Sequence, residues 1–289
     1  MWIMSIYSSY DQSSLWFHTM GEGAPLICLP GGPGMDVQYL GNLGGLDRRR
    51  TLVLADPRAA GRSATPSDHG RCAFPEQVRD LEALRLHLGL ERIDLLAHSA
   101  ATLTAQEYAA AHPDRIGKLV LVTPVGRAAR EADPDELAAI RAGRSAEPWY
   151  ADAVAADAEL QLGGHDPVEQ AALMLRTVPF VWGRWTPEAQ AEYRRPLTNA
   201  PGWLREAFYS GAPGPAEAPA RLARLAASGA RPLVIAGGLD GLIGTAPARL
   251  VAGLHPGSRL AVFEQSGHRL WVEEPERFTD LVLSFLDEA

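Results

Sequence analysis

Ser99 lies in the segment Leu95-Leu96-Ala97-His98-Ser99-Ala100-Ala101, between an apolar strand-like run and a stretch of helical character. A serine on a sharp strand-to-helix turn is lifted above the sheet, with the positive end of the helix beneath it. That is the setting of an acyl-transfer nucleophile. Strand and helix approach closely there, so the residues two before and two after the serine must be small. Both are alanine, Ala97 and Ala101. Alanine keeps the size but gives up easy access to positive φ. Such a serine needs a base and a group to orient that base. Asp240 follows the apolar run 232–236 and a glycine turn, and His268 follows the run 259–263 in Gln265-Ser266-Gly267-His268. All three sit just after strand-like runs, at the edge where open parallel sheets place their sites. The pattern predicts Ser99 as nucleophile, His268 as base and Asp240 as the orienting carboxylate.

A fourth element is Pro30-Gly31-Gly32-Pro33-Gly34, again after an apolar run. Its glycines let the backbone turn an N–H toward a reacting carbonyl. Gly32 and Ala100 are the expected oxyanion donors, each worth about 3–4 kcal/mol to an anionic transition state. As a phosphate loop the segment fails, since no Gly-Lys-Ser/Thr follows and proline removes donors.

The elements that must carry these residues read as α/β. Apolar runs at 25–29, 51–55, 92–97 and 118–123 alternate with helical patterns at 75–89 and 101–112, and 14–19 suits an early antiparallel strand. From 124 to about 229 the pattern gives helices and no good strand, with four of the seven tryptophans (Trp149, Trp182, Trp185, Trp203). Alternation resumes with strands at 232–236 and 259–263 and helices at 246–254 and 275–286. The stretch 212–219, rich in proline, glycine and alanine, looks like a hinge.

The chain has 289 residues, 46% of them hydrophobic, enough for a sizeable core without disulfides. A net charge of -8 argues against nucleic-acid or anionic-lipid partners. The only basic block, Arg48–Arg50, reads as a solvated turn. Cys28 lies in an apolar run and reads as a buried small hydrophobe. There is no Cys-ligand spacing and no His-Glu-x-x-His pair, so no metal and no cofactor is expected. No apolar run nears the ~18 residues of a membrane span, and the first ten residues do not read as a signal peptide. A cytoplasmic protein is the expectation.

The quoted motifs resemble those of proline iminopeptidase-like α/β-hydrolases. Residues 30–34 resemble that family's His-Gly-Gly-Pro-Gly loop, and 56–63 its D-x-R-G-x-G-x-S segment. The order serine, aspartate, histidine matches as well. The resemblance implies a mostly parallel eight-stranded sheet flanked by helices. The core would comprise 1–124 and 229–289, with 125–228 as a helical cap that selects substrate. It also implies a serine hydrolase that cleaves an ester or amide of a small molecule or short peptide through an acyl-enzyme. A proline iminopeptidase-like aminopeptidase or amidase is the first expectation. A small-molecule carboxylesterase, or a non-hydrolytic enzyme or ligand-binding protein on the same fold, are the alternatives. Pro30, Ala59, Ala97 and Ala101 depart from the family pattern. The family holds a substrate amine with cap glutamates announced by Trp-Glu, but here Trp185 precedes Thr186 and Trp149 precedes Tyr150. Glu188, Glu192 and Glu206 are the candidate amine readers. Gly31, His98, Trp182 and Trp185 are candidates to line the substrate site, the tryptophans equally to pack the cap onto the core.

Overall fold

A computed structural model describes residues 3–193 and 200–288. Eight strands form one sheet: β1 (Ile3–Ser8), β2 (Ser14–Met20), β3 (Ala24–Leu29), β4 (Arg50–Ala55), β5 (Ile93–His98), β6 (Ile116–Val122), β7 (Leu233–Gly237) and β8 (Arg259–Phe263). Their order is β1-β2-β4-β3-β5-β6-β7-β8, antiparallel at β1/β2 and β2/β4 and parallel from β4 onward. The central strands are wholly apolar because both faces are covered. Ile27, Val53, Leu95, Leu121 and Val234 point to one face, where they pack with α1 (Gln77–His87) and α2 (Ala101–Ala111). Their neighbours Leu26, Leu52, Leu96, Val120 and Ile235 point to the other, against the C-terminal helix.

Among the described residues six α-helices separate β6 from β7: α3 (Pro134–Ala142), α4 (Tyr150–Leu162), α5 (Pro167–Thr177), α6 (Pro187–Tyr193), α7 (Leu204–Tyr209) and α8 (Ala218–Ala226). Among the described residues this segment contains no strand. Asp133 and Asp166 cap α3 and α5 with proline at the first turn, the latter in a full capping box with Glu169. The stretch expected to be a hinge is a turn leading into α8, and its Ala212 packs against an apolar cluster. Then α9 (Ala246–Leu254) follows β7, and α10 (Leu270–Glu273) and α11 (Pro275–Leu286) follow β8.

Two differences from the sequence expectations have simple causes. Strand β1 was not foreseen, because it is an edge strand with Ile3, Met4 and Ile6 facing out and only Tyr7 buried, so it carries little apolar alternation. Arg50 does not belong to a solvated turn. It opens β4, is buried, and pairs with Asp94 (3.3 Å) and Asp287 (2.5 Å). Cys28 and Cys72 are both buried free thiols.

Candidate active site

β5 ends at His98, and Ser99 turns into α2 with φ +54°. A left-handed serine is strained by about 1–2 kcal/mol, and here the neighbours hold it in place. Its N–H donates to the Val122 carbonyl (2.9 Å), and its own carbonyl accepts from Thr102 N–H (3.1 Å) and Thr102 Oγ1 (2.5 Å). Ala97 lies inside β5 and Ala101 opens α2, both in ordinary conformations and both packed into the core. The turn demands small size at these two positions, and the positive φ falls on the serine alone, so the alanines satisfy the elbow.

Asp240 follows β7 and is fully buried. Its Oδ1 accepts from the N–H groups of Leu242 (3.0 Å) and Ile243 (3.2 Å), which leaves Oδ2 for His268 Nδ1 at 2.6 Å. That bond places the proton on Nδ1 and leaves the Nε2 lone pair available as a base. The two loops meet so closely that a Cβ on Gly237 would lie 2.0 Å from the Gly267 carbonyl oxygen, so only glycine fits. The segment preceding α6 also anchors both. Val181 O accepts from His268 N–H (2.7 Å), and Phe180 O accepts from Gly241 N–H (2.9 Å). The His268 ring stands 4.6 Å from that of His98, beside the elbow. The Asp240–His268 pair of the expected triad is thus hydrogen-bonded. Among the described residues Ser99 Oγ makes no hydrogen bond to the imidazole, a gap that such sites close when substrate arrives.

The glycine loop is tied to both. Gly31 N–H donates to Tyr39 Oη (2.6 Å), Tyr39 Oη bonds His98 Nδ1 (2.7 Å), and His98 Nε2 reaches the His268 carbonyl (3.1 Å). A carbonyl only accepts, so Nε2 carries the proton, Nδ1 accepts from the tyrosine hydroxyl, and the hydroxyl accepts from Gly31. Burial, and then the neighbouring His268, hold the His98 pKa well below its ordinary value, which keeps that ring neutral. Tyr39 is placed by a 3₁₀ turn, Val37–Leu40, whose Val37 N–H bonds Asp56 Oδ1 (3.0 Å). Two residues on, buried Arg58 grips Asp80 (2.6 Å) and Asp11 (2.9 Å). Ala59, where the resembling motif has glycine, sits at φ +58°.

Gly31 and His98 are therefore braces of the loop and the elbow, and their polar groups are committed to protein partners. Among the described residues the N–H groups of Gly32 and Ala100 are bonded to no protein acceptor, which suits oxyanion donors. Beside the loop lies a partly open pocket of about 40 Å³ whose walls include Gly31, Ala100, Asp80 and Thr104. It has room for a few waters.

The other expected substrate contacts fall elsewhere. Trp182 is completely buried and packs with Val178, Ala189 and the half-buried Trp185, joining the helical segment to the base loop. Glu206 points to solvent on α7, as does Glu188 on α6, and Glu192 is half-buried at the end of the same helix. Sequence reading overlooked Tyr39, because nothing local announces a tyrosine whose partners are 8 and 59 residues away. It also overlooked the anchoring carbonyls of Phe180 and Val181. Among the described residues no three His, Cys, Asp or Glu side chains gather as a metal site, and no helix is long and apolar enough to cross a membrane.

Residues 24–275 match the family model described as the alpha/beta hydrolase fold. The chain belongs to this family. Among curated relatives it is 32% identical over 135 residues to a (lyso)-N-acylphosphatidylethanolamine lipase of Bos taurus, covering 45% of this chain and 40% of that one. It is 37% identical over 112 residues to a proline iminopeptidase of Lactobacillus crispatus, covering 37% and 38%. These matches span about two-fifths of the relatives' length. Among solved structures, the proline iminopeptidase of Mycobacterium smegmatis superposes with a TM-score of 0.72 at 23% identity, covering 98% of this chain and 97% of that one. An alpha/beta fold family hydrolase from Bacillus anthracis gives 0.71 at 18%, covering 99% of both. At these identities the superpositions speak for the fold. The α/β-hydrolase chain is thus similar to lipases, esterases and proline iminopeptidases alike.

Proposed function

We propose that this α/β-hydrolase is a serine hydrolase working through an acyl-enzyme, with the helical segment 125–228 as its cap. The observation that carries the reading is the buried Asp240–His268 pair set beside a left-handed Ser99. His268 Nε2 takes the Ser99 hydroxyl proton as Oγ attacks the carbonyl carbon. The imidazolium is held by Asp240, and the anionic oxygen is received by the N–H groups of Gly32 and Ala100. Collapse returns the proton to the leaving alcohol or amine, and water, activated by the same imidazole, releases the acid. The substrate is a small ester or amide.

Between these two, the surroundings favour the ester. An aminopeptidase must hold a free amine with a carboxylate; Glu188 and Glu206 stand in solvent, and Glu192 is half-buried at the end of α6. The carboxylates of Glu131 and Glu136, on the segment that follows β6, are taken by Arg127 and by the start of α9. The test is a panel of short p-nitrophenyl esters and aminoacyl-naphthylamides, with Ser99→Ala as control. Ester cleavage lost in the variant supports the reading. Turnover that survives Ser99→Ala refutes it, and efficient cleavage of prolyl-naphthylamide would restore the aminopeptidase.

A further inference from the structure

Near the candidate site stand two arginines, Arg130 and Arg205, for which no ion pair is found among the described residues. Arg130 lies on the segment leaving β6, and its Nη2 donates to the Leu242 carbonyl (2.9 Å), two residues past Asp240. Arg205 on α7 sets its guanidinium 5.6 Å from the centre of the Tyr209 ring. Leu242 and Tyr209 are half-buried members of the apolar cluster that contains Ala100, the candidate oxyanion donor. Each cation is therefore tied to a residue that packs against the cluster holding Ala100.

Among the described residues neither guanidinium has a carboxylate within 4.0 Å. By contrast Arg127, Arg141, Arg144, Arg176, Arg221 and Arg224 of the same segment are each paired. Partial burial, and then the nearby charge of Arg205, lower the Arg130 pKa against the opposing pull of Tyr209 and Asp240. Holding like charges together costs Coulomb energy unless an anion lies between them. Both side chains reach solvent, so an incoming ligand meets them first. Guanidinium forks suit planar or tetrahedral oxyanions.

We infer that Arg130 and Arg205 read an anionic group on the substrate, a carboxylate or a phosphate, so that the substrates are acidic esters or amides. This rests on the hydrolase reading above. The acyl chemistry at Ser99 is unchanged, and the arginines hold the far end of the molecule while its carbonyl sits over the oxyanion donors.

The experiment compares p-nitrophenyl hemiglutarate with the neutral p-nitrophenyl valerate for the wild type, Arg130→Gln, Arg205→Gln and the double variant. The readout is the ratio of kcat/KM for the acidic over the neutral ester. The wild type is expected to favour the acidic ester, each substitution to lower the ratio roughly tenfold, and added salt to shrink it. A wild-type preference for the neutral ester, or a ratio unmoved in the double variant, overturns the inference. Calorimetric titration with glutarate and with phenyl phosphate gives a readout independent of turnover and separates carboxylate from phosphate. Binding of either, lost in the double variant, supports the inference even if no ester is cleaved, in which case only the hydrolase reading fails. No saturable binding of both overturns it.

Discussion

Replacing Tyr39 with phenylalanine tests whether the Gly31–Tyr39–His98–His268 chain positions the oxyanion loop. The ring stays and one oxygen goes, taking two bonds of 2.6 and 2.7 Å with it. Gly31 and His98 are both buried, so one N–H and one ring nitrogen are left without a partner. At about 1–3 kcal/mol for each of the two groups, the variant should lose roughly 2–6 kcal/mol of stability. For a chain of this size that is about 4–12 °C in Tm. The effect on rate is separate. Gly32 follows Gly31 directly, and losing an oxyanion donor outright costs about 10²–10³ in kcat. A loosened donor should cost on the order of tenfold, with KM little changed because the bond to the oxyanion forms only in the transition state. The assay is ester turnover per active site, counted by fluorophosphonate titration, well below the lowered Tm. A variant with reduced Tm but wild-type kcat per titrated site would show that Tyr39 is mere packing and that the loop holds itself.

Ser99→Gly should be more stable than Ser99→Ala by about 1 kcal/mol, since only glycine relieves the +54° φ, while both abolish probe labelling. Equal denaturation midpoints would argue against strain at the elbow. Arg58→Met leaves Asp80 buried without its main cation and should cost about 3–5 kcal/mol, read as a large fall in Tm; a fall of a degree or two would contradict the ion-pair argument. His255 is buried, and both its ring nitrogens lack partners among the described residues, so burial depresses its pKa to about 4. Below the ordinary value of 6.5 the unfolded chain takes up a proton that the folded one refuses. Stability therefore falls as pH drops from 6.5 toward 4, by up to about 3 kcal/mol. Urea midpoints of the wild type and His255→Gln across that window check it, and identical pH slopes would refute it.

The candidate triad could be picked out along the chain because each member carries a local requirement. Ser99 needs a small-flanked turn after a strand, Asp240 and His268 need glycines where two loops touch, and the central strands need unbroken apolar runs because both faces are covered. These constraints involve residues close in sequence, and they fixed the element types and the order of the site. Tertiary structure decided everything set by partners distant in sequence. It turned His98 and Gly31 from expected substrate contacts into braces, through a tyrosine that no pattern marks. It made Trp182 a joint between the helical segment and the His268 loop, put Glu206 in solvent, and buried Arg50 from a basic run between two acids. It added an edge strand whose outward side chains erase the alternation that would have revealed it. The ion pairing of the arginines was equally hidden. A charged side chain looks the same in sequence whether it is paired or unpaired, and only packing shows which it is.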